Sequence, residues 1–143
     1  MRQTGCELCE DVGGLLLWQN ELCRVVRVED NDYPGFCRVI CSRHVREMSD
    51  LPNAEREQLM RVVIAVEQAI RETLRPFKMN LASLGNAVPH LHWHVIPRFQ
   101  DDRHFPKPIW AAPEREAVHR NLPQEWKQEL LRSVAAQCDL LPL

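Results

Sequence analysis

The 143-residue sequence predicts an α+β domain: a five-stranded antiparallel sheet, one long helix packed on it, and a C-terminal arm followed by a second helix. Three observations lead to this class. Five short apolar segments are bounded by turn residues, the segment 52–76 has a helical period, and this length suits one domain that buries about two-thirds of its unfolded surface. We expect residues 1–143 to form one domain, with a core in 1–99 and the arm and second helix in 100–143.

The first three strands are predicted from apolar runs and the turns between them. Leu15–Gln19 and Leu22–Val28 are expected to pair as an antiparallel hairpin around Asn20-Glu21. Pro34-Gly35 suits the central positions of a type II turn. The third strand, Phe36–Cys41, follows that turn directly.

The main helix is predicted over residues 52–76 because apolar residues recur there at three- and four-residue steps. This stripe consists of Leu59, Val62, Val63, Val66, Ile70 and Leu74. Pro76 marks the helix end. Met79–Leu84 is expected as a fourth strand, residues 100–121 as an irregular arm, and Pro123–Cys138 as a second amphipathic helix.

Three histidines at alternate positions dominate the remaining strand. In a β-strand, side chains at i, i+2 and i+4 share one face, so His90, His92 and His94 form a row about 13 Å long. Aligned imidazoles can bind a transition metal, bind phosphate oxygens or supply a nucleophile. A hydrogen-bonded ladder of structural histidines is the alternative, and three in succession favour a functional role over it.

Composition narrows the possible partners. A net charge of -2 and no basic stripe argue against dedicated binding of nucleic acid. The N-terminal residues contain no apolar leader, and the run Leu15–Trp18 is far shorter than the roughly 20 residues that cross a bilayer. We therefore expect a cytoplasmic protein without a membrane partner, whose six cysteines are reduced.

The segment His90-Leu91-His92-Trp93-His94-Val95-Ile96 resembles the signature of the histidine triad (HIT) superfamily of nucleotide hydrolases and transferases. Two flanking segments are similar to those of bacterial members, Asn80-Leu81-Ala82-Ser83-Leu84-Gly85-Asn86 before the row and His104-Phe105-Pro106-x-Pro108-Ile109-Trp110 after it. The resemblance implies a HIT-like fold and a homodimer.

The resemblance also implies an activity. His92 would attack the α-phosphate of a nucleotide and form a nucleotidyl-histidine, which water hydrolyses, and His94 would donate to the phosphate oxygens. Diadenosine polyphosphates and adenosine phosphoramidates are the leading substrates. Related nucleotidyl transferases and phosphorylases have Gln in the third position, so His94 favours a hydrolase. The alternative is a nucleotide-binding sensor or adaptor with little turnover.

Cys6-x-x-Cys9 is compatible with a redox pair, two buried thiols or a metal knuckle. The resemblance to zinc-containing HIT proteins implies that Cys6, Cys9, His44 and His90 form a closed, structural zinc site, and that the chemistry itself requires no metal. Otherwise, His44 would be a solvent-facing loop residue.

Residues that could contact the substrate flank the histidine row. The candidates are Asn80, Asn86 and Arg98, although turn formation explains Asn86 equally well. The resemblance places a ribose-binding residue among Glu29, Asp30 and Asn31. Trp110 is expected to anchor the arm by packing, and His104 and His119 are expected on the surface.

Overall fold

A computed structural model describes residues 1–142 of the chain. It contains five strands and three α-helices in mixed order. The strands are β1 (Leu15–Gln19), β2 (Cys23–Arg27), β3 (Cys37–Cys41), β4 (Lys78–Ala82) and β5 (His92–Arg98); the helices are α1 (Glu7–Glu10), α2 (Asn53–Leu74) and α3 (Trp126–Asp139), with a 3-10 turn at Met48–Asp50.

The sheet is antiparallel throughout, with the strand order β1-β2-β3-β5-β4. Strand β5 therefore lies inside the sheet, between β3 and β4. In its register, His92 is opposite Ile40, and His94 is opposite Arg38 on one side and Ala82 on the other. The α+β class and the five-stranded antiparallel sheet predicted from the sequence are confirmed.

Helices cover one face of the sheet. The apolar stripe of α2 packs with Val25, Val39 and Val95 in the main core, and α3 adds Leu130 and Val134 to the same cluster. Because strand side chains alternate, the opposite face carries Val26, Ile40, His92 and His94. The helices thus support the sheet from behind and leave the histidine face for other groups.

Turn chemistry explains the two early connections. The Asn20 side chain accepts hydrogen bonds from the backbone amides of Leu22 and Cys23, at 2.9 Å each, which closes the hairpin. Gly35 has φ of +90°, and the amide of Phe36 donates to the Tyr33 carbonyl, as a turn centred on Pro34-Gly35 requires. A Cβ on Gly35 would also lie 2.2 Å from Leu74 of α2.

The structure differs from the prediction at two places near the histidines. Strand β5 begins at His92, so His90 lies just before it. Pro89 has no amide proton, and the amide of His90 donates locally to Val88, which bends the chain at this point. The Cys6-x-x-Cys9 segment forms the one-turn helix α1, which the sequence pattern did not predict.

No helix within residues 1–142 is long and apolar enough to span a membrane.

Candidate functional site

Four potential metal ligands come together at the start of β5. Cys6 caps the start of helix α1 and Cys9 lies within it, His44 follows β3, and His90 precedes β5. One ligand atom from each residue lies within 4.8 Å of all the others, and only His44 is more than slightly exposed. The structure therefore brings together the four residues predicted as metal ligands, and this cluster could bind a metal ion.

The distances within the cluster suit tetrahedral zinc. Zinc at its usual bond lengths to sulfur and nitrogen implies N···N separations of about 3.3 Å and N···S separations of about 3.6 Å. The two histidine Nδ1 atoms are 3.3 Å apart. The Nδ1 of His90 lies 3.4 Å from Cys6 Sγ and 3.5 Å from Cys9 Sγ, and the Nδ1 of His44 lies 3.5 Å from Cys9 Sγ. The donor set and its spacing fit this ion.

Hydrogen bonds outside the cluster orient its ligands. The Nε2–H of His90 donates to the carbonyl of Cys41 at 2.7 Å, which leaves the lone pair of Nδ1 free toward the two sulfurs. The amide of Gln3 donates to Cys9 Sγ. Arg24 donates to the carbonyls of Leu8, Asp11 and Val12 and so holds the segment around α1 against β2.

His92 is held in one tautomer by its neighbour. Its Nδ1 lies 2.6 Å from the carbonyl oxygen of His90, so Nδ1 carries the proton and donates it. The Nε2 atom is then the unprotonated nitrogen. Burial lowers the pKa of His92, the hydrogen bond to His90 opposes this effect, and the charge of Arg38 adds to it. The ring is consequently neutral near pH 7.

His94 is almost fully enclosed, but its polar atoms are not all paired. It is 7% exposed, and its ring contacts those of His92, Phe36 and Trp110, with centroids 4.8, 5.7 and 5.0 Å away. Its Nδ1 is buried without a hydrogen-bond partner among residues 1–142. Burial, the neighbouring His92 and Arg38 lower the pKa of His94 to about 4. A neutral donor or acceptor is therefore available here for a ligand.

Arg38 is a functional candidate that the sequence analysis did not single out. It lies directly across from His94, and its guanidinium carbon is 5.6 Å from the centre of the Phe36 ring. Its Nε is buried and has no hydrogen-bond partner among the described residues. The signal in the sequence is an arginine that interrupts the apolar strand Phe36–Cys41. The strand register shows that this arginine faces the histidines.

Arg98 is buried and bound within the chain. It is 2% exposed, and its guanidinium donates to both carboxylate oxygens of Asp102, to the Asn80 side chain and to the Lys107 carbonyl. Burial alone would raise the pKa of Asp102, but Arg98 and the backbone amides that donate to Asp102 hold it below its ordinary value. Arg98 thereby positions Asn80, whose predicted contact with substrate stays a prediction.

The arm is fastened to the sheet by the same network. The Tyr33 hydroxyl lies 3.2 Å from Asp102 and 2.6 Å from Nδ1 of His104. His104 is only 8% exposed, so its predicted surface position is wrong. His119, in contrast, is exposed as expected. Trp110 packs against His94, so the arm contacts the histidine row itself.

The other predicted substrate contacts lie apart from the row. Asn86 is exposed in the loop before it. Glu29, Asp30 and Asn31 line a groove of about 690 Å³ whose other wall is formed by arm residues 117–122, and no member of the histidine row lines this groove. The structure therefore does not bring the predicted ribose-binding candidates into contact with His92.

Comparison with known families agrees with this fold. The family model of the HIT domain matches residues 13–101. The chain belongs to the HIT family, which the resemblance around the histidine row predicted.

Two curated relatives are similar over part of their length. An AP-4-A phosphorylase from Mycobacterium tuberculosis (strain CDC 1551 / Oshkosh) is 32% identical over 78 residues, which is 50% of this chain and 40% of that protein. A bis(5′-nucleosyl)-tetraphosphatase (asymmetrical) from Schizosaccharomyces pombe is 34% identical over 74 residues, 48% of this chain and 41% of that protein. The chain thus spans about two-fifths of the length of both relatives.

Solved structures resemble nearly the whole chain. A histidine triad protein from Bradyrhizobium japonicum has a TM-score of 0.71 at 26% identity, covering 89% of this chain and 92% of that one. One from Marinobacter aquaeolei VT8 has a TM-score of 0.70 at 28% identity, covering 91% and 92%. A zinc-bound histidine triad protein from Mycobacterium smegmatis shares the fold, with a TM-score of 0.63 at 23% identity over 94% and 96%.

Proposed function

We propose that this chain is a nucleotide hydrolase that cleaves a phosphoanhydride or phosphoramidate bond at the α-phosphate of a nucleotide. One observation carries the proposal above the others: the carbonyl of His90 accepts the Nδ1 proton of His92 at 2.6 Å. This bond leaves Nε2 of a neutral imidazole as a nucleophile, without a separate base to remove a proton.

The reaction takes two displacements. The Nε2 of His92 attacks the α-phosphorus, a P–N bond forms, and the bond to the leaving group breaks as that group departs with its electron pair and takes up a proton. Water then attacks the same phosphorus, the P–N bond breaks, and a nucleoside monophosphate is released with neutral His92. Through both steps, His94 donates to a non-bridging oxygen as its negative charge grows.

The names of the two relatives support dinucleoside polyphosphates as one substrate class. The relatives differ in the molecule that accepts the nucleotidyl group, which is phosphate in a phosphorylase and water in a hydrolase. The relative from S. pombe is a tetraphosphatase, whereas that from M. tuberculosis is a phosphorylase. We propose water as the acceptor, with diadenosine polyphosphates and adenosine phosphoramidates as substrates. Incubating the protein with diadenosine tetraphosphate, with and without inorganic phosphate, separates the two: a hydrolase gives AMP in both cases, and a phosphorylase gives ADP only with phosphate.

We also propose that zinc occupies the cluster of Cys6, Cys9, His44 and His90. When bound, the ion would cross-link three chain segments. It would have no catalytic role, because four protein ligands leave no open coordination position. Since the carbonyl of His90 orients His92, a fixed His90 also fixes the ring of His92. Pairing of two chains into a homodimer, and residues 1–143 as one domain, are further parts of this proposal.

The proposal is tested by replacing His92 with Asn. We expect turnover to fall at least about 10⁴-fold, because the nucleophile is removed, while AMP still binds. In the unmodified protein, rapid quenching with labelled substrate should trap the nucleotide on His92, located by peptide mass spectrometry. Full activity in His92→Asn, or an adduct on another residue, would contradict the assignment.

A further inference from the structure

One guanidinium on the histidine face lacks a protein partner. Within residues 1–142, Arg38 forms no salt bridge, and its Nε is buried without a hydrogen bond. The neighbouring arginines are used differently, since Arg24 donates to three carbonyls and Arg98 donates to Asp102. A buried donor without a partner is destabilising, and a ligand atom that accepts from it would explain its presence.

The surroundings of Arg38 place it beside the reacting histidines. It is directly opposite His94 in the β3–β5 register, and directly opposite residues have Cβ atoms about 5 Å apart. Its guanidinium packs over Phe36, whose ring also contacts that of His94. The charge of Glu7, at the start of α1, acts on it, but this carboxylate is exposed and forms no hydrogen bond with Arg38 within residues 1–142.

Arg38 carries the positive charge next to His94 on the histidine face. His94 is held neutral by burial, with its pKa at about 4. The charge of Arg98 is balanced by Asp102. Arginine binds phosphate oxygens through a planar set of N–H donors, and such charge-assisted bonds are about twice as strong as neutral ones.

We propose that Arg38 binds a non-bridging phosphoryl oxygen of the nucleotide on the histidine face. This inference deepens the proposed function and rests on it for the identity of the ligand. The oxygen belongs to the phosphate that His92 attacks, because Arg38 lies directly across from His94 on the same face. Arg38 supplies a permanent positive charge at this position.

A binding experiment isolates the phosphate contribution without any turnover. The dissociation constants of AMP and adenosine are measured by calorimetry for the unmodified protein, Arg38→Met and Arg38→Lys. The methionine keeps an apolar chain over Phe36. The control is Arg61→Met, an exposed arginine on α2, behind the sheet. We expect Arg38→Met to weaken AMP binding about 10- to 100-fold and adenosine binding less than about twofold, Arg38→Lys to fall between, and Arg61→Met to change neither.

Turnover tests the same assignment in the substrates. We expect Arg38→Met to lower kcat/KM for both adenosine phosphoramidate and diadenosine tetraphosphate, and a loss with the tetraphosphate alone would overturn binding to the attacked phosphate. The inference is overturned if Arg38→Met changes AMP and adenosine binding equally, or leaves the preference for AMP intact. If that preference depends on Arg38 but no substrate is turned over, the hydrolase proposal fails and the role of Arg38 stands.

Discussion

His90 and His94 lie four residues apart, yet their ring nitrogens have opposite environments. Both nitrogens of His90 have partners: Nε2 donates to Cys41, and Nδ1 faces the sulfurs of Cys6 and Cys9. Nδ1 of His94 has no partner within residues 1–142, and neither has the adjacent Nε of Arg38. Unpaired polar atoms within residues 1–142, rather than histidine itself, therefore distinguish the end of the row where we propose reaction from the end where we propose zinc.

The largest expected effect follows from removing a ligand of the proposed zinc site. Replacing Cys9 with Ser should reduce bound zinc from about one ion per chain to nearly none, because one of the four proposed ligands is removed. Structural zinc sites contribute on the order of 10 kcal/mol to folding, so stability should fall with the ion. The melting temperature should fall by more than about 10 °C. Elemental analysis and thermal unfolding measure both quantities.

Cys138→Ala is the matched control for that experiment. Cys138 is a buried cysteine of α3 outside the cluster, so this variant should retain the metal even if its core packing loosens. If the unmodified protein is folded and reduced but holds no metal, the proposal that His90 serves as a zinc ligand is contradicted.

A substitution at His94 should have the opposite pattern, with a large loss of activity and a small loss of stability. His94→Asn should lower kcat about 10²- to 10³-fold, because a donor to the developing charge is displaced. The melting temperature should change by only a few degrees, since Nδ1 forms no hydrogen bond within the described part of the chain that the substitution could remove. Comparable stability losses in His94→Asn and Cys9→Ser, with unchanged kcat in the former, would show that the two ends are alike.

The smallest expected effect is a pH dependence of stability. The pKa of His94 is lowered to about 4 in the folded chain, chiefly by burial, from about 6.5 when unfolded. Between these values the unfolded chain binds more protons, so the free energy of unfolding decreases as the pH falls, by up to about 3 kcal/mol in total. Chemical denaturation at pH 7, 5.5 and 4.5 should show a shallower decrease for His94→Asn, and an identical decrease would contradict the enclosed, neutral His94.

The sheet and main helix were predictable because their patterns are local. An apolar run followed by an Asn-containing turn predicted β1 with its observed bounds, Leu15–Gln19. The helical stripe of α2 gave its existence and both ends to within two residues. These predictions depend on spacing along the chain, which tertiary contacts did not override.

The surroundings of single side chains were less predictable, because their partners are distant in sequence. His104 was expected on the surface, but its partner Tyr33 is 71 positions away. Arg98 was expected to contact substrate, and its buried pairing with Asp102 became visible only in three dimensions. The assembly of Cys6, Cys9, His44 and His90 was anticipated only through the resemblance to zinc-containing relatives, since spacing alone does not relate residues so far apart.

The Arg98–Asp102 pair has a consequence for where this protein can be divided. The HIT match ends at residue 101, and Asp102, the carboxylate partner of the buried Arg98 guanidinium, follows directly. A fragment trimmed after residue 101 would contain every histidine of the row, yet it would leave an uncompensated charge beneath Asn80. The residues that follow the match are therefore part of the same folded unit.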